Sequence, residues 1–498
     1  MNNSNLLYRR QFICTNARTL KRDNWNHAEI SAGNEIFHLA CHKDVEFEQN
    51  HRKLQLVLIG YLLDPFDPSL TNKDIVEEMA GFKDYTEVVN RINFMNGKYV
   101  LFISDPSGMY VLNDATASKQ VFYYFENDEI WLSSSPNLVL ENRELDRTKN
   151  NDLWKYLESS DYRNKNKAWF GTETPYSGLY ILAPNHLIDI NKKEIKRFWP
   201  TEKLNKQPFQ QSIDHAARIL KGTIESAAQR YKLHISLTGG YDSRMILSAS
   251  KNVFRDAEYY TLKTTENYEK NILDFRIPQK LTDKYNLHYK VIEIGNNTAT
   301  TDFLGIFHKN SIFNRDTFAD VYYTYIELNY ENTINVTGVM GDQLLRAFYR
   351  FKGETTAKKI ADRFKVSEYP YIVKSIDDFL SSIRLDQNTE GIHPIDWFNW
   401  EYFSANWGGV SATEHDIVRE ELRMVNCREL ISTFMLLSDR FRYRDNPRAH
   451  KLIIKRNWPE LLNIGIEPSN IQHRKLKKFL RFLHLERFVD SIYKGMKG

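Results

Sequence analysis

The chain has 498 residues, of which 42% are apolar, 27% charged and 13% aromatic, and its 68 Lys+Arg against 64 Asp+Glu leave a net charge of +4. That composition excludes a disordered chain and argues against a dedicated nucleic-acid binder, which carries a larger and more clustered basic excess. At roughly 150 residues per domain there is room for two to three cores, so no disulfide or metal staple is required.

No apolar run is long enough to span a membrane. The opening Met1-Asn2-Asn3-Ser4-Asn5-Leu6 lacks the basic start and apolar stretch of a signal peptide. Cys14, Cys41 and Cys427 lie far apart and form neither a disulfide framework nor a zinc motif. The expectation is a cytoplasmic protein without structural metal.

In the first 145 residues, short apolar runs alternate with turns. Leu54–Gly60, Lys98–Ser104, Met109–Leu112, Val121–Tyr124 and Ile130–Ser133 read as strands, and Asp105-Pro106-Ser107-Gly108 reads as a tight turn. Strands at this spacing predict antiparallel sheets, in the manner of a sandwich. Between them, Asn72–Phe94 has helical periodicity. A helical start at Asn151 is followed by a hairpin over Leu182–Ile190, broken at Pro184-Asn185. The polar stretch Thr201–Gln211 reads as a linker.

Beyond it the period changes. Ile213–Tyr231 is a long helix candidate with Ala216, Ile219, Leu220, Ile224 and Ala227 on one face. Strand Leu233–Leu237, helix Ser243–Ser250, strand Glu258–Leu262, helix Ile272–Tyr285 and strand Tyr289–Ile294 follow in βαβαβ order, which predicts a parallel sheet. After about residue 355 the pattern is mostly helical. The aromatics Trp397, Phe398, Trp400, Tyr402, Phe403 and Trp407 read as core or as the wall of an acceptor pocket.

The most informative segment is Leu237-Thr238-Gly239-Gly240-Tyr241-Asp242-Ser243, a strand running into two glycines and then a helix. Adjacent glycines turn the backbone tightly and aim several N–H groups one way, and the helix start adds its positive end. Thr238 and Ser243 add hydroxyls. Together they make a cradle for an oxyanion, phosphate above all, with Asp242 as a magnesium ligand beside it. The plainer reading is a strand-to-helix turn with an acidic cap.

This turn resembles the Ser-Gly-Gly-x-Asp-Ser loop of the ATP pyrophosphatase (PP-loop) superfamily. Its asparagine-synthetase-like branch, which includes class B asparagine synthetase and β-lactam synthetase, is matched by further segments in order. Thr174–His186 resembles the segment joining that branch's two domains. Val336–Gln343 resembles its second loop, Ser-Gly-Glu-Gly-x-Asp-Glu. Lys451-Leu452-Ile453-Ile454-Lys455 resembles its catalytic-lysine segment, and Gly97–Leu138 its glutaminase domain.

The resemblance implies an α+β, glutaminase-like (Ntn-type) antiparallel layered domain over residues 1–200. It implies an α/β parallel-sheet PP-loop domain with helical additions over 211–498. ATP would adenylate a carboxylate, releasing pyrophosphate, and ammonia or an amine would then displace AMP. Leu237, Thr238, Gly239, Gly240, Asp242, Ser243, Leu262, Gly338 and Asp342 would bind ATP, Asp242 and Asp342 would hold Mg2+, and Lys451 with Asp242 would be catalytic. The competing reading of Lys451 is a solvated lysine in a basic segment with Arg440, Arg442, Arg444 and Arg448.

Three departures matter. Val339 stands where the branch has a glutamate, so proton transfer must fall to another group, Tyr349 and Glu327 being candidates. Residue 2 is Asn, and Cys14 lies in a strand-like run, so the N-terminal nucleophile of a glutaminase is lacking unless processing exposes Cys14. Gly60-Tyr61-Leu62-Leu63 has no oxyanion-hole amide. The expectation is an amide-forming ligase without glutaminase activity, acting on a small carboxylate such as a sugar acid or natural-product acid. An intramolecular cyclase of β-lactam or macrolactam type and a nucleotide-binding pseudoenzyme are the alternatives. The basic, apolar terminus (473–498) reads as a docked helix first and as a helix on anionic lipid second. A homodimer is among the oligomeric states left open.

Overall fold

The computed structural model describes residues 3–164, 170–264, 271–295, 298–311, 316–347, 350–443 and 447–466. The terminal basic helix expected over 473–498 and Tyr349 lie outside them.

The N-terminal part contains two six-stranded antiparallel sheets. The first, in the order β10-β8-β9-β1-β3-β2, is built from β1 (Phe12–Thr15), β2 (Trp25–Ala32), β3 (Glu35–His42), β8 (Phe122–Glu126), β9 (Glu129–Ser133) and β10 (Leu179–Ile181). The second, in the order β12-β11-β7-β6-β5-β4, uses β4 (Phe47–His51), β5 (Gln55–Leu63), β6 (Asn96–Asp105), β7 (Gly108–Asn113), β11 (His186–Asp189) and β12 (Glu194–Arg197).

Side-chain alternation explains the layering. Val57 and Ile59 of β5, with Val100 and Phe102 of β6, face Phe12, Cys14, Leu39 and Leu132 of the first sheet. Their neighbours Leu56, Leu58, Leu101 and Ile103 face the other way, onto helices α1 (Asn72–Ala80) and α2 (Tyr85–Ile92) and beyond. A sheet covered on both faces needs apolar residues at successive positions, which is why β5 and β6 read as unbroken apolar runs.

Several expectations are corrected here. Asn72–Phe94 is two helices, because Asp84 caps a second start by accepting from the Thr86 N–H. The break at Pro184-Asn185, where Asn185 has φ 64°, does not close a hairpin. It moves the chain from β10 in one sheet to β11 in the other. Strands β2 to β4 were not foreseen, since β2 and β4 are largely exposed and polar.

Helix α3 (Phe209–Arg230) opens the second part and buries the predicted face. A five-stranded parallel sheet follows, in the order β15-β14-β13-β16-β17, from β13 (Lys232–Ser236), β14 (Glu258–Lys263), β15 (His288–Glu293), β16 (Thr333–Thr337) and β17 (Glu421–Arg423). Its helices include α4 (Tyr241–Ala249), α5 (Leu273–Tyr285), α6 (Asp316–Glu327) and α7 (Arg448–Asn457). β17 was not foreseen; a three-residue strand arriving after a long helical stretch has no periodic signal. One apolar core runs from Leu58 and Leu101 through Ile213 and Ile224 to Ile246, Val336 and Ile453, across the expected linker. The aromatics at 397–407 are largely core, with Trp397 and Trp400 fully buried. No helix among the described residues is long and apolar enough to cross a membrane.

The two parts are also joined by buried charge. Asp416 accepts from Lys98 and, at 3.0 Å, from Lys119, and its backbone carbonyl accepts from Arg10 at 2.9 Å. Burial alone would raise the Asp416 carboxyl, but Lys119 and Lys98 outweigh it and hold it below the ordinary value. Its contribution to stability is therefore present above the usual carboxylate range near 3.9 and lost as pH falls through the depressed value. Asp416→Asn leaves two buried ammonium groups short of a counter-ion. It is expected to destabilise the fold by roughly 3–5 kcal/mol, read from urea melts at neutral pH.

Candidate functional site

Strand order places the site. The chain runs β13, β14, β15 outward on one side, then returns to put β16 on the other side of β13. In open parallel sheets a crevice forms outside the carboxyl ends of the strands at this reversal. The glycine turn after β13 and the Gly338–Asp342 turn after β16 both lie there.

The first turn is held from below. Leu237 is fully buried, its N–H donates to the Tyr260 carbonyl at 2.8 Å, and Thr261 donates its hydroxyl to the Leu237 carbonyl. Ser243 braces the turn internally, accepting from the Thr238 N–H at 3.1 Å and donating to the Thr238 carbonyl at 3.0 Å. Gly240 is the N-cap of α4 and provides no side chain to cap the helix start. The Gly239 N–H donates to Asp274 Oδ1 at 2.9 Å. An oxyanion thus already sits on one N–H of the cradle, supplied by the first turn of α5.

The second turn packs against Asp242. A Cβ added to Gly338 would lie 3.1 Å from Asp242 Cβ, and one added to Gly341 would lie 3.1 Å from Asp242 Oδ1. A side chain at either position would be crowded against Asp242, which would have to give by a few tenths of an ångström. Met340 takes φ 68° to close the turn, and Asp342 follows in the first turn of the short helix Gly341–Leu344. Val339 is half-buried against the apolar core, with its N–H on Thr337 Oγ1 at 3.2 Å.

Helix α7 supplies the third element. It packs on α4 and α3 and sets Lys451 Nζ 5.6 Å from the centroid of the Tyr241 ring. The Arg346 guanidinium lies 5.7 Å from the same ring. The structure therefore gathers Thr238–Ser243, Gly338–Asp342 and Lys451 around Tyr241 and Asp242. Leu262, near the end of β14, lies one strand over from Leu237. The basic segment before Lys451 is not uniformly solvated: Arg442 is fully buried and pairs with Asp396 at 2.8 Å.

Three participants were missed from sequence: Arg346, His450 and Asp274. Arg346 donates to Asp242 Oδ2, and His450 Nε2 lies 3.2 Å from Asp242 Oδ1. A carboxylate only accepts, so Nε2 carries the proton, and the buried Nδ1 has no hydrogen-bond partner among the described residues. Burial pushes the His450 imidazole below its ordinary value despite Asp242, so it is neutral at pH 7. Burial would raise the Asp242 carboxyl, but Arg346 and the His450 hydrogen bond hold it below the ordinary range. The only local hints were the adjacency of His450 to Lys451 and of Arg346 to the Asp342 turn.

This arrangement bears on the magnesium expected at Asp242 and Asp342. Both Asp242 oxygens are engaged by protein donors, one of them permanently cationic. Among the described residues, no three His, Cys, Asp or Glu side chains cluster closely enough to hold a metal ion. A divalent cation on Asp242 would have to displace Arg346 or His450 from one of these oxygens.

Glu327 is also corrected as a substitute for the missing glutamate. It ends α6, just before β16 begins at Thr333, so it lies at the opposite edge of the sheet from the crevice. Five strand residues separate the two edges by about 16 Å. Cys14 sits on β1 inside the sandwich, fully buried, with its thiol pushed up by burial. The residues before it are anchored: the Tyr8 N–H donates to Asn310 at 2.6 Å and Gln11 to the Asn310 carbonyl at 2.9 Å. Freeing Cys14 as an N-terminus would remove these anchors. Leu62 and Leu63 are buried apolar residues and offer no amide donor.

No protein-family model matches the chain, and no curated protein sequence does either. Among solved structures, it is similar to an NH3-dependent NAD synthetase from Campylobacter jejuni at 13% identity, over 42% of this chain and 96% of that one, with a TM-score of 0.20. A score that low does not make the two backbones one fold.

Two outcomes follow from this geometry. Asp274→Ala removes the carboxylate that competes for the Gly239 N–H, and pyrophosphate affinity by calorimetry is expected to rise, by roughly ten-fold. All three cysteines are buried. Ellman's reagent is expected to modify none of them in the native protein and all three after unfolding.

Proposed function

We propose that the chain is an ATP-dependent amide-forming ligase of asparagine-synthetase type, with residues 1–200 as a glutaminase-like part that lacks glutaminase activity and 211–498 as the synthetase part. One observation carries this reading. The Thr238–Ser243 turn, the Gly338–Asp342 turn and Lys451 meet at the crevice where the strand order reverses.

The chemistry divides among the chain's own groups. The glycine-turn N–H groups and the start of α4 receive polyphosphate, whose oxygens displace Asp274 from Gly239. The substrate carboxylate attacks the α-phosphorus of ATP, and the bond to the β-phosphate oxygen breaks, releasing pyrophosphate. Ammonia or an amine then attacks the acyl carbon, loses a proton, and AMP leaves with the carboxyl oxygen. Lys451 stabilises negative charge in both steps, for which its long stem gives reach. Val339 moves no proton, so the amine's proton passes to another group or to water.

The pseudoenzyme alternative draws on the engagement of Asp242 by Arg346 and His450. The intramolecular cyclase differs only in taking its amine from the same substrate. Product analysis decides among them. The purified chain is given ATP and a carboxylate pool, with and without magnesium, ammonium and glutamine. AMP and pyrophosphate are expected with ammonium and not with glutamine, and Lys451→Ala is expected to lower the rate roughly 10²-fold. AMP formation that needs no added amine indicates the cyclase. ATP binding without turnover across the pool indicates the pseudoenzyme. Support by glutamine would overturn the reading of the first 200 residues.

A further inference from the structure

We propose that the Arg346 guanidinium is the resident counter-ion of Asp242, standing where a divalent cation would be expected, so that polyphosphate at this crevice is met by a protein cation and not by a protein-held metal. The polyphosphate half of this statement rests on the reading above; the occupancy of Asp242 does not.

The geometry supports it in three ways. First, Arg346 and His450 take one Asp242 oxygen each, from two different elements. Second, Arg346 is held from behind. Arg442, fully buried and paired with Asp396 at 2.8 Å, donates to the carbonyls of Leu344, Leu345 and Arg346 at 3.2–3.3 Å. The Ala347 N–H returns a bond to the Arg442 carbonyl at 2.9 Å. The backbone at 344–347 is thereby tied to Arg442, which sets the Cα from which the Arg346 side chain reaches Asp242. Third, Gly338 and Gly341 bring the second turn close against Asp242, so its backbone lines that side of the carboxylate.

The charges agree. An arginine stays protonated at every accessible pH, so its cation is always present. A divalent ion on Asp242 would face Arg346 across one carboxylate, with Lys451 Nζ 5.6 Å from the neighbouring Tyr241 ring. A guanidinium also presents planar, fork-shaped donors that suit phosphate oxygens.

The test uses the full chain and two probes. Manganese binding is followed by electron paramagnetic resonance for the parent protein, Arg346→Gln, Arg346→Lys and Arg346→Gln/Asp242→Asn. The parent and the lysine variant are expected to show no Asp242-dependent site. Arg346→Gln is expected to gain one Mn2+ about ten-fold tighter or more, and Asp242→Asn to abolish the gain. Thermal melts report whether each variant is folded, and the lysine variant keeps the comparison if the glutamine variant is not. An Asp242-dependent Mn2+ site in the parent, unchanged by Arg346→Gln, would overturn the proposal. Pyrophosphate is titrated separately in EDTA. Binding to the parent that weakens about ten-fold in Arg346→Gln supports the second half. Binding that strictly needs a divalent cation in the parent overturns that half. No binding of pyrophosphate under either condition would refute the phosphate reading of the crevice, while the manganese result still decides what sits on Asp242.

Discussion

Asp416 brings a carboxylate into a volume where Lys98, Lys119 and Arg10 converge, each almost entirely out of water. The three cations come from the N-terminal part, Lys98 from β6, Arg10 from just before β1 and Lys119 from the β7–β8 connection, and the anion comes from the segment leading into β17. None of these charges is tolerable alone at such burial, so each half of the molecule presupposes the other. β17 pairs with β16, and β16 carries the turn that presses on Asp242. Tyr61 and Asn96 reinforce the join by donating to backbone carbonyls of Glu421, Arg423 and Met424. The position of the second turn therefore depends on packing against the N-terminal sheets, even though no residue of those sheets enters the crevice geometry described above.

The crevice is an exercise in charge balance. Backbone N–H groups, the start of α4, Arg346 and Lys451 bring positive potential. Asp242, Asp274 and Asp342 bring negative charge. A phosphate would rearrange the partners of these carboxylates, among them Asp274 on the Gly239 N–H and Asp242 on Arg346 and His450. The site is thus held together by the Asp242–Arg346 ion pair and by hydrogen bonds to carboxylates, and an incoming anion replaces interactions as well as adding them.

Much of the architecture was legible because it is periodic. The apolar face of α3, the βαβαβ order and the apolar runs of β5 and β6 follow from burial acting at fixed spacing, which leaves a linear trace. The glycine turn was legible because its residue types are local in sequence; Gly240 itself has ordinary extended backbone, and it is at Gly239 that a side chain would crowd Ile277 and the Leu273 carbonyl. What left no trace was contact between residues distant in sequence. Asp242 and Arg346 are 104 positions apart, and Asp242 and His450 are 208 apart. Glu327 looked suitable by residue type, but strand polarity puts it at the far edge of the sheet. Cys14 was read as a strand cysteine, and its place inside the sandwich agrees with that reading.

By itself the sequence determined the periodic elements, the parallel order of β13 to β15 and the chemistry available at the Thr238–Ser243 turn, because local backbone sterics and hydrophobic period act over a few residues. Tertiary structure alone decided which charges meet. Lys98 and Lys119 became buried partners of Asp416, and Arg346 and His450 became the partners of Asp242, only once the strand order was set. The reason is physical. A charged side chain in a linear sequence has water as its default partner, and only folding removes that water and fixes the partner that replaces it.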